Sequence, residues 1–180
     1  MITYVVGFLF THDAEHVILI KKNRPDWQKD KLNGVGGHVL EKETPAEAMS
    51  REFYEEAGVE TKPEEWENTV ILLDKPGRYC VYFFRMFSDI CFGLASTQTD
   101  ESIEKIFVSD LSKNDTIQNI RWLIPIQLDK GLIVPIVVLD RTLPGDGGGN
   151  MKGQDDVDEK CDGKEEAKGK EVEGKEEDEG

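Results

Sequence analysis

Glu52, Glu55 and Glu56 stand at i, i+3 and i+4, so on a helix their side chains fall within an arc of about 100°. Arg51 adjoins them, Glu43 lies upstream, and the pair Gly36-Gly37 precedes both. Like-charge pairs at this spacing destabilise a helix by some tenths of a kcal/mol each. A hard divalent cation that prefers oxygen ligands reverses that cost, which makes Mg²⁺ the expected cofactor, with Mn²⁺ as its substitute. Three glutamates alone would more often be a solvated acidic face. With Arg51, Glu43 and the two glycines alongside, a metal site is the better reading.

Thr44 to Ala57 carries the signals of the helix that must hold these residues. Thr44 is an N-cap with Glu47 three residues on, Pro45 takes the first helical position, and Gly58 follows the last turn. Ala46, Ser50, Phe53 and Ala57 form a neighbouring arc, small and apolar enough to pack on a sheet.

From Gly37 to Val59 the chain reads GHVLEKETPAEAMSREFYEEAGV: a glycine, five residues, Glu43, seven residues, then Arg51-Glu52-Phe53-Tyr54-Glu55-Glu56-Ala57-Gly58-Val59. This is similar to the Nudix box at all nine defined positions. With Asn33-Gly34-Val35-Gly36-Gly37 before it and Trp122-Leu123-Ile124-Pro125 late in the chain, the protein resembles the MutT-type Nudix hydrolases. These enzymes cleave nucleoside diphosphates linked to another group. The resemblance spans about Met1 to Asp140 and implies the Nudix α/β/α sandwich, a mixed sheet flanked by helices.

The same resemblance assigns roles. Glu52, Glu55 and Glu56 become metal ligands, with the backbone carbonyl of Gly37 as a further one, and Glu52 or Glu56 takes the proton of the attacking water. Arg51 holds the glutamates in register through a bidentate pair, and Glu43 orients Arg51 or binds an outer water. An accessory base is sought in a later loop, among Asp100, Glu101 and Glu104, where a plain polar loop is the competing reading. Asn119, placed by its distance from Pro125, and Gln118 beside it are the candidates for reading a purine edge. Arg24, Trp27 and Lys29 could approach phosphate or stack on a base; Trp27 could equally cap the core.

The expected activity is Mg²⁺-dependent hydrolysis of a nucleoside triphosphate, including oxidised purines such as 8-oxo-dGTP, to the monophosphate and pyrophosphate. One rival acts on ADP-ribose or another nucleotide sugar. That subgroup's extended signature places a proline nearer the box than Pro76, which reads here as a hairpin turn. A second rival is a nucleotide-sensing module without catalysis, but such modules typically lose a box glutamate or the arginine, and none is lost.

Composition sets the outer bounds. The net charge of −15 divides into −7 for Met1–Pro144 and −8 for Gly145–Gly180. The latter segment has nine glycines and runs in imperfect Gly-Lys-Glu-Glu units. It cannot bury enough apolar surface to offset ordering entropy, so the expected division is a domain over 1–144 and a disordered acidic tail over 145–180. The acidity argues against a nucleic-acid partner. Cys80, Cys91 and Cys161 lack a pattern, the N-terminal apolar run lacks a basic leader, and no run is long enough to span a membrane. A cytoplasmic monomer or homodimer acting on a small nucleotide is expected.

Strand-forming runs lie at Ile2–Thr11, His16–Lys22, Leu32–Leu40, Trp66–Leu73, Arg78–Phe87, Glu104–Val108 and Leu132–Leu139. A second helix is expected over Ile117–Asp129. Turns at His12–Glu15 and Asp74–Gly77 read as hairpins.

Overall fold

In the computed structural model, residues 1–132 and 134–140 are described. The elements run β1 (Ile2–Phe10), β2 (His16–Lys21), β3 (Leu32–Asn33), α1 (Pro45–Ala57), β4 (Glu67–Asp74), β5 (Tyr79–Phe87), α2 (Asp89–Leu94), β6 (Ser102–Phe107), α3 (Ile120–Leu128) and β7 (Ile136–Asp140). The strands form one mixed sheet in the order β3-β2-β1-β5-β4-β7, with β6 paired to β2. β1 and β5 run parallel from Ile2↔Tyr79 to Phe10↔Phe87, and β4 and β7 are also parallel.

Strand alternation assigns each face its own core. Val5, Leu9, Ile18, Ile20, Phe84 and Met86 point to one side and pack on Ala48, Met49, Phe53 and Ala57 of α1. Phe8, Phe10, Val17, Leu19 and Phe83 point to the other and pack on Ile120, Leu123 and Ile124 of α3. The result is a helix–sheet–helix sandwich, the layering expected from the order of elements. On α1 the packing stripe is Ala48–Met49–Phe53–Ala57; Ala46 and Ser50 sit at its half-buried margin. Phe53 also meets Trp66 edge-on at 5.2 Å between ring centres.

α1 starts and stops as its sequence directs. Thr44 accepts from the Glu47 backbone N–H at 3.3 Å while the Glu47 carboxylate accepts from the Thr44 N–H at 2.7 Å. Gly58 ends it with φ 72°, a conformation that costs a side-chain-bearing residue energy but not glycine.

Three expectations need correction. The strand expected over Leu32–Leu40 is only Leu32–Asn33. β2 pairs with β1 only at Val17 and Ile18, then with β3 at Ile20 and Lys21. β1 and β2 therefore part company, and the segment after β3 follows β1 instead, bridged at Gly7↔Val35 and Tyr4↔His38. The second expected helix begins at Ile120, not Ile117, because Ile117 donates to the Leu32 carbonyl at 3.0 Å and extends β3's edge. The last strand begins at Ile136, after Pro135. The short helix α2, capped by Ser88 on Cys91 N–H at 3.2 Å, had too few turns to show a period. The proposed acidic tail, 145–180, lies outside the described residues.

Candidate active site

The segment after β3 brings Gly36 and Gly37 beneath α1. Val5 N–H donates to the Gly37 carbonyl at 2.9 Å, and Gly7 N–H to the Val35 carbonyl at 2.7 Å. A Cβ on Gly36 would lie 2.1 Å from the Val5 carbonyl oxygen, and one on Gly37 would lie 2.5 Å from a Glu52 carboxylate oxygen. The first glycine is required by its close approach to the backbone of β1, whereas the second leaves room for the carboxylate end of Glu52.

Arg51 organises the acidic face. Its Nε donates to Glu43 at 3.1 Å, and Nη2 donates to the other Glu43 oxygen at 2.7 Å and to the His38 carbonyl at 2.8 Å. Nη1 donates to Glu52 at 2.9 Å and to Glu55 at 3.1 Å. These bonds use all five guanidinium donors. The nearby guanidinium holds the Glu43 carboxyl below its ordinary value.

Glu56 is outside this hub. One of its oxygens accepts from the Gly36 N–H at 3.0 Å, and the other stands 4.0 Å from the Lys22 ammonium. Glu52 and Glu56 each keep only 13% of the side chain exposed. Burial pushes the Glu52 carboxyl upward, and it pushes Glu56 further, to about 7, against the pull of Lys22 and the Gly36 N–H. Glu55 is half exposed.

The later loop reaches this cluster through one residue of the three expected. Glu101 is buried, accepts from the Asn23 N–H at 2.7 Å, and takes a charged hydrogen bond from Lys22. Asp100 is exposed and pairs with Arg24 at 3.0 Å. Glu104 opposes Leu19 across the β2–β6 ladder, and so belongs to the α3 face, away from the box glutamates. There it lines a cavity of about 250 Å³ with Lys21, Asp30 and Asp115. Its expected part as an accessory base therefore falls: strand alternation turns it away from α1.

Substrate candidates are scattered. Arg24 is exposed and engaged with Asp100; Trp27 is 48% exposed, so it caps no core. Gln118 is exposed. Asn119 is the N-cap residue of α3 yet its side chain makes no capping bond, and its Oδ1 is buried without a protein partner. Sequence reasoning missed Lys22 and Asn23. The signal was the alternation Ile18, Ile20, Lys22, which puts Lys22 on the α1 face.

The family model for the NUDIX domain matches residues 1–133. The chain belongs to the Nudix family. With every box residue present, it is a pyrophosphohydrolase of that family. No curated protein matches the chain. The Nudix fold is shared with a MutT from work on Aliivibrio salmonicida and Vibrio cholerae, at 20% identity and TM-score 0.58, over 70% of this chain and 96% of that one. The NUDIX domain of Shewanella oneidensis NrtR complexed with ADP ribose is similar at 18% identity and TM-score 0.57, over 70% and 85% of the two chains. A bifunctional NMN adenylyltransferase/ADP ribose pyrophosphatase of Francisella tularensis, complexed with AMP and a manganese ion, matches at 18% identity and TM-score 0.57. That alignment covers 71% of this chain but only 41% of the Francisella protein. Likeness at these identities shows the fold.

The donor set of this Nudix site fits a divalent cation. Glu52 and Glu56 are two desolvated carboxylates whose anionic forms are under-compensated, and hard oxygen ligands are what Mg²⁺ or Mn²⁺ takes. Among the described residues no three such side chains converge as they stand, since Arg51 draws Glu52 and Glu55 while Gly36 and Lys22 draw Glu56. The Gly37 carbonyl, already accepting from Val5, keeps one lone pair for a ligand. No helix among the described residues is long and apolar enough to cross a membrane.

Proposed function

We propose that this Nudix protein hydrolyses a nucleoside triphosphate to the monophosphate and pyrophosphate, with Mg²⁺ or Mn²⁺ as cofactor. The observation that carries the reading is the five-donor Arg51 hub beside the buried Glu52 and Glu56. Such an arrangement spends an entire guanidinium on holding carboxylates in place, which suits a site whose glutamates must meet a cation in fixed geometry. Glu52, Glu55, Glu56 and the Gly37 carbonyl would hold the metal. When bound, it neutralises phosphate charge and acidifies water.

The chain's own residues supply the rest. Arg51 and Glu43 position the α1 carboxylates. Glu56, which stands outside the Arg51 hub and accepts one backbone hydrogen bond from Gly36, is the carboxylate left free to accept a proton from water. The unpartnered Asn119 Oδ1 offers an acceptor to an N–H on a purine edge. Glu101, whose oxygens are occupied by Lys22 and the backbone of Asn23, serves as an anchor and not as the base.

The test is a hydrolysis panel with the full chain and Mg²⁺ across purine and pyrimidine nucleoside triphosphates, 8-oxo-dGTP, ADP-ribose and dinucleoside polyphosphates. The expected result is highest kcat/KM on a purine triphosphate with pyrophosphate release. Highest kcat/KM on ADP-ribose, with AMP as product, would replace the triphosphate reading. Absence of turnover on the triphosphates would overturn the reading.

A further inference from the structure

Arg51 bonds to Glu43, Glu52 and Glu55 but not to Glu56. The cation beside Glu56 is Lys22, one residue past β2 and on the α1 face of the sheet. Its ammonium bonds to Glu101 and stops 4.0 Å short of Glu56. Lys22, Glu56 and Glu101 retain only 15%, 13% and 6% of their side chains exposed, so water screens this triad poorly.

The tether is fixed at both ends. Glu101 accepts from the Asn23 N–H at 2.7 Å and the Arg24 N–H at 3.4 Å through its other oxygen. Its loop is fastened to the end of α1: Gln98 N–H donates to the Glu56 carbonyl at 3.2 Å and Ser96 N–H to the Ala57 carbonyl at 3.0 Å. Asn23 adds a side-chain bond to the Asp100 carbonyl at 2.6 Å. The loop, the end of β2 and the end of α1 thus form one unit around the ammonium. A lysine free to neutralise Glu56 would close to hydrogen-bond distance. Held by Glu101, it compensates Glu56 only in part.

We propose that Lys22, tethered by Glu101, is the internal counter-ion of Glu56 and sets the affinity of the glutamate site for a divalent cation, which must bind against its charge. The proposal rests on the metal-dependent reading above and adds a positioning role that the box does not contain. Glu101 holds the ammonium back from Glu56, keeping the carboxylate available; Lys22 in turn lets Glu56 remain buried before the cation arrives. Loss of the tether should let Lys22 close on Glu56 and oppose the metal more strongly.

The experiment is Mn²⁺ titration of the metal-free full chain without nucleotide, following the electron paramagnetic resonance signal of free Mn²⁺. Lys22→Met should bind Mn²⁺ about tenfold more tightly than the parent, the size expected from removing one partly screened charge. Lys22→Arg, which keeps the charge, should stay near the parent. Glu101→Gln should weaken binding in the parent but change it little in the Lys22→Met background, because Glu101 acts through Lys22. Unchanged or weaker binding by Lys22→Met overturns the proposal. Equal weakening by Glu101→Gln in both backgrounds also overturns it, and makes Glu101 a ligand instead. If Lys22→Met does not fold, Lys22→Gln carries the same expectation. Failure of the parent to bind Mn²⁺ removes the metal-dependent reading as well, whereas parent binding with no shift in the lysine variants removes only this one.

Discussion

The Arg51 guanidinium lies side-on against Glu43, with Nε 3.1 Å from one carboxylate oxygen and Nη2 2.7 Å from the other. Glu43 precedes α1 and Arg51 lies within it, so this fork ties the entry loop to the helix turn that carries Glu52 and Glu55. A lysine could keep the charge but not the planar fork. Arg51→Lys should therefore lower kcat about a hundredfold, equivalent to about 3 kcal/mol, while far-ultraviolet circular dichroism stays unchanged. Retention of kcat within about threefold would show that charge alone suffices at this position.

Burial of Glu56 gives the metal-free protein a pH-dependent stability with a definite sign. Its carboxyl titrates near 7 in the folded chain, against an ordinary 4.5, so between these values the folded state keeps a proton that the unfolded chain has released. Stability must then fall as pH rises through that window, by about 3 kcal/mol from this group. Glu52 shifts in the same direction. Glu43 and Asp74, held below their ordinary values, act in the opposite sense but only at more acidic pH. Thermal melts in EDTA should show Tm declining from about pH 5 to about pH 8, with Glu56→Gln flattening the decline. Saturating Mg²⁺, which favours the carboxylates, should offset it. A Tm that rises over this range in EDTA would contradict the burial of Glu56.

The box helix was legible because each of its signals is local. Thr44, Pro45, Glu47 and Gly58 specify its ends, and the glutamate spacing specifies its acidic face. Pro76 was likewise readable as part of a hairpin turn, since Gly77 beside it has φ 75° and the strands on both sides pair. What escaped depends on long-range pairing. Leu32–Leu40 has strand-like composition throughout, yet whether it pairs with β2 or β1 is decided by where those two strands separate. The roles of Lys22 and Glu101 arise from a contact 79 residues apart in sequence, which no spacing rule encodes. Glu104 and Glu101 differ by three positions, and only the register of β6 on β2 reveals that Glu104 faces α3.

The adjacent glycines should respond differently to alanine. At Gly36, φ is 153° and the added Cβ would meet backbone, the Val5 carbonyl oxygen at 2.1 Å, so β1 itself must shift. Gly36→Ala is expected to cost about 2–4 kcal/mol of stability. At Gly37 the added Cβ would meet only the end of the Glu52 side chain, at 2.5 Å. Gly37→Ala should keep Tm within a few degrees but displace Glu52, lowering kcat at least tenfold. Chemical denaturation paired with kinetics separates the two effects. Equal loss of stability in both variants would mean that Gly37, too, is needed for the path of the backbone along β1.

The Asn119 assignment comes with its own control. The residue's Oδ1 is buried without a partner and its side chain does not cap α3, so removing it should cost the fold almost nothing. Deleting an unsatisfied acceptor could even raise Tm slightly. If that oxygen receives a hydrogen bond from a purine, Asn119→Ala should raise KM for the preferred purine nucleotide and lower its kcat/KM about ten- to a hundredfold, or about 1–3 kcal/mol. Pyrimidine turnover should change little. Arg51→Ala, by contrast, should depress every substrate alike, because it releases Glu43, Glu52 and Glu55 together. A uniform loss across bases for Asn119→Ala, with lowered Tm, would mean that the residue supports the start of α3. Base recognition would then have to be sought near Trp27, whose side chain is half exposed.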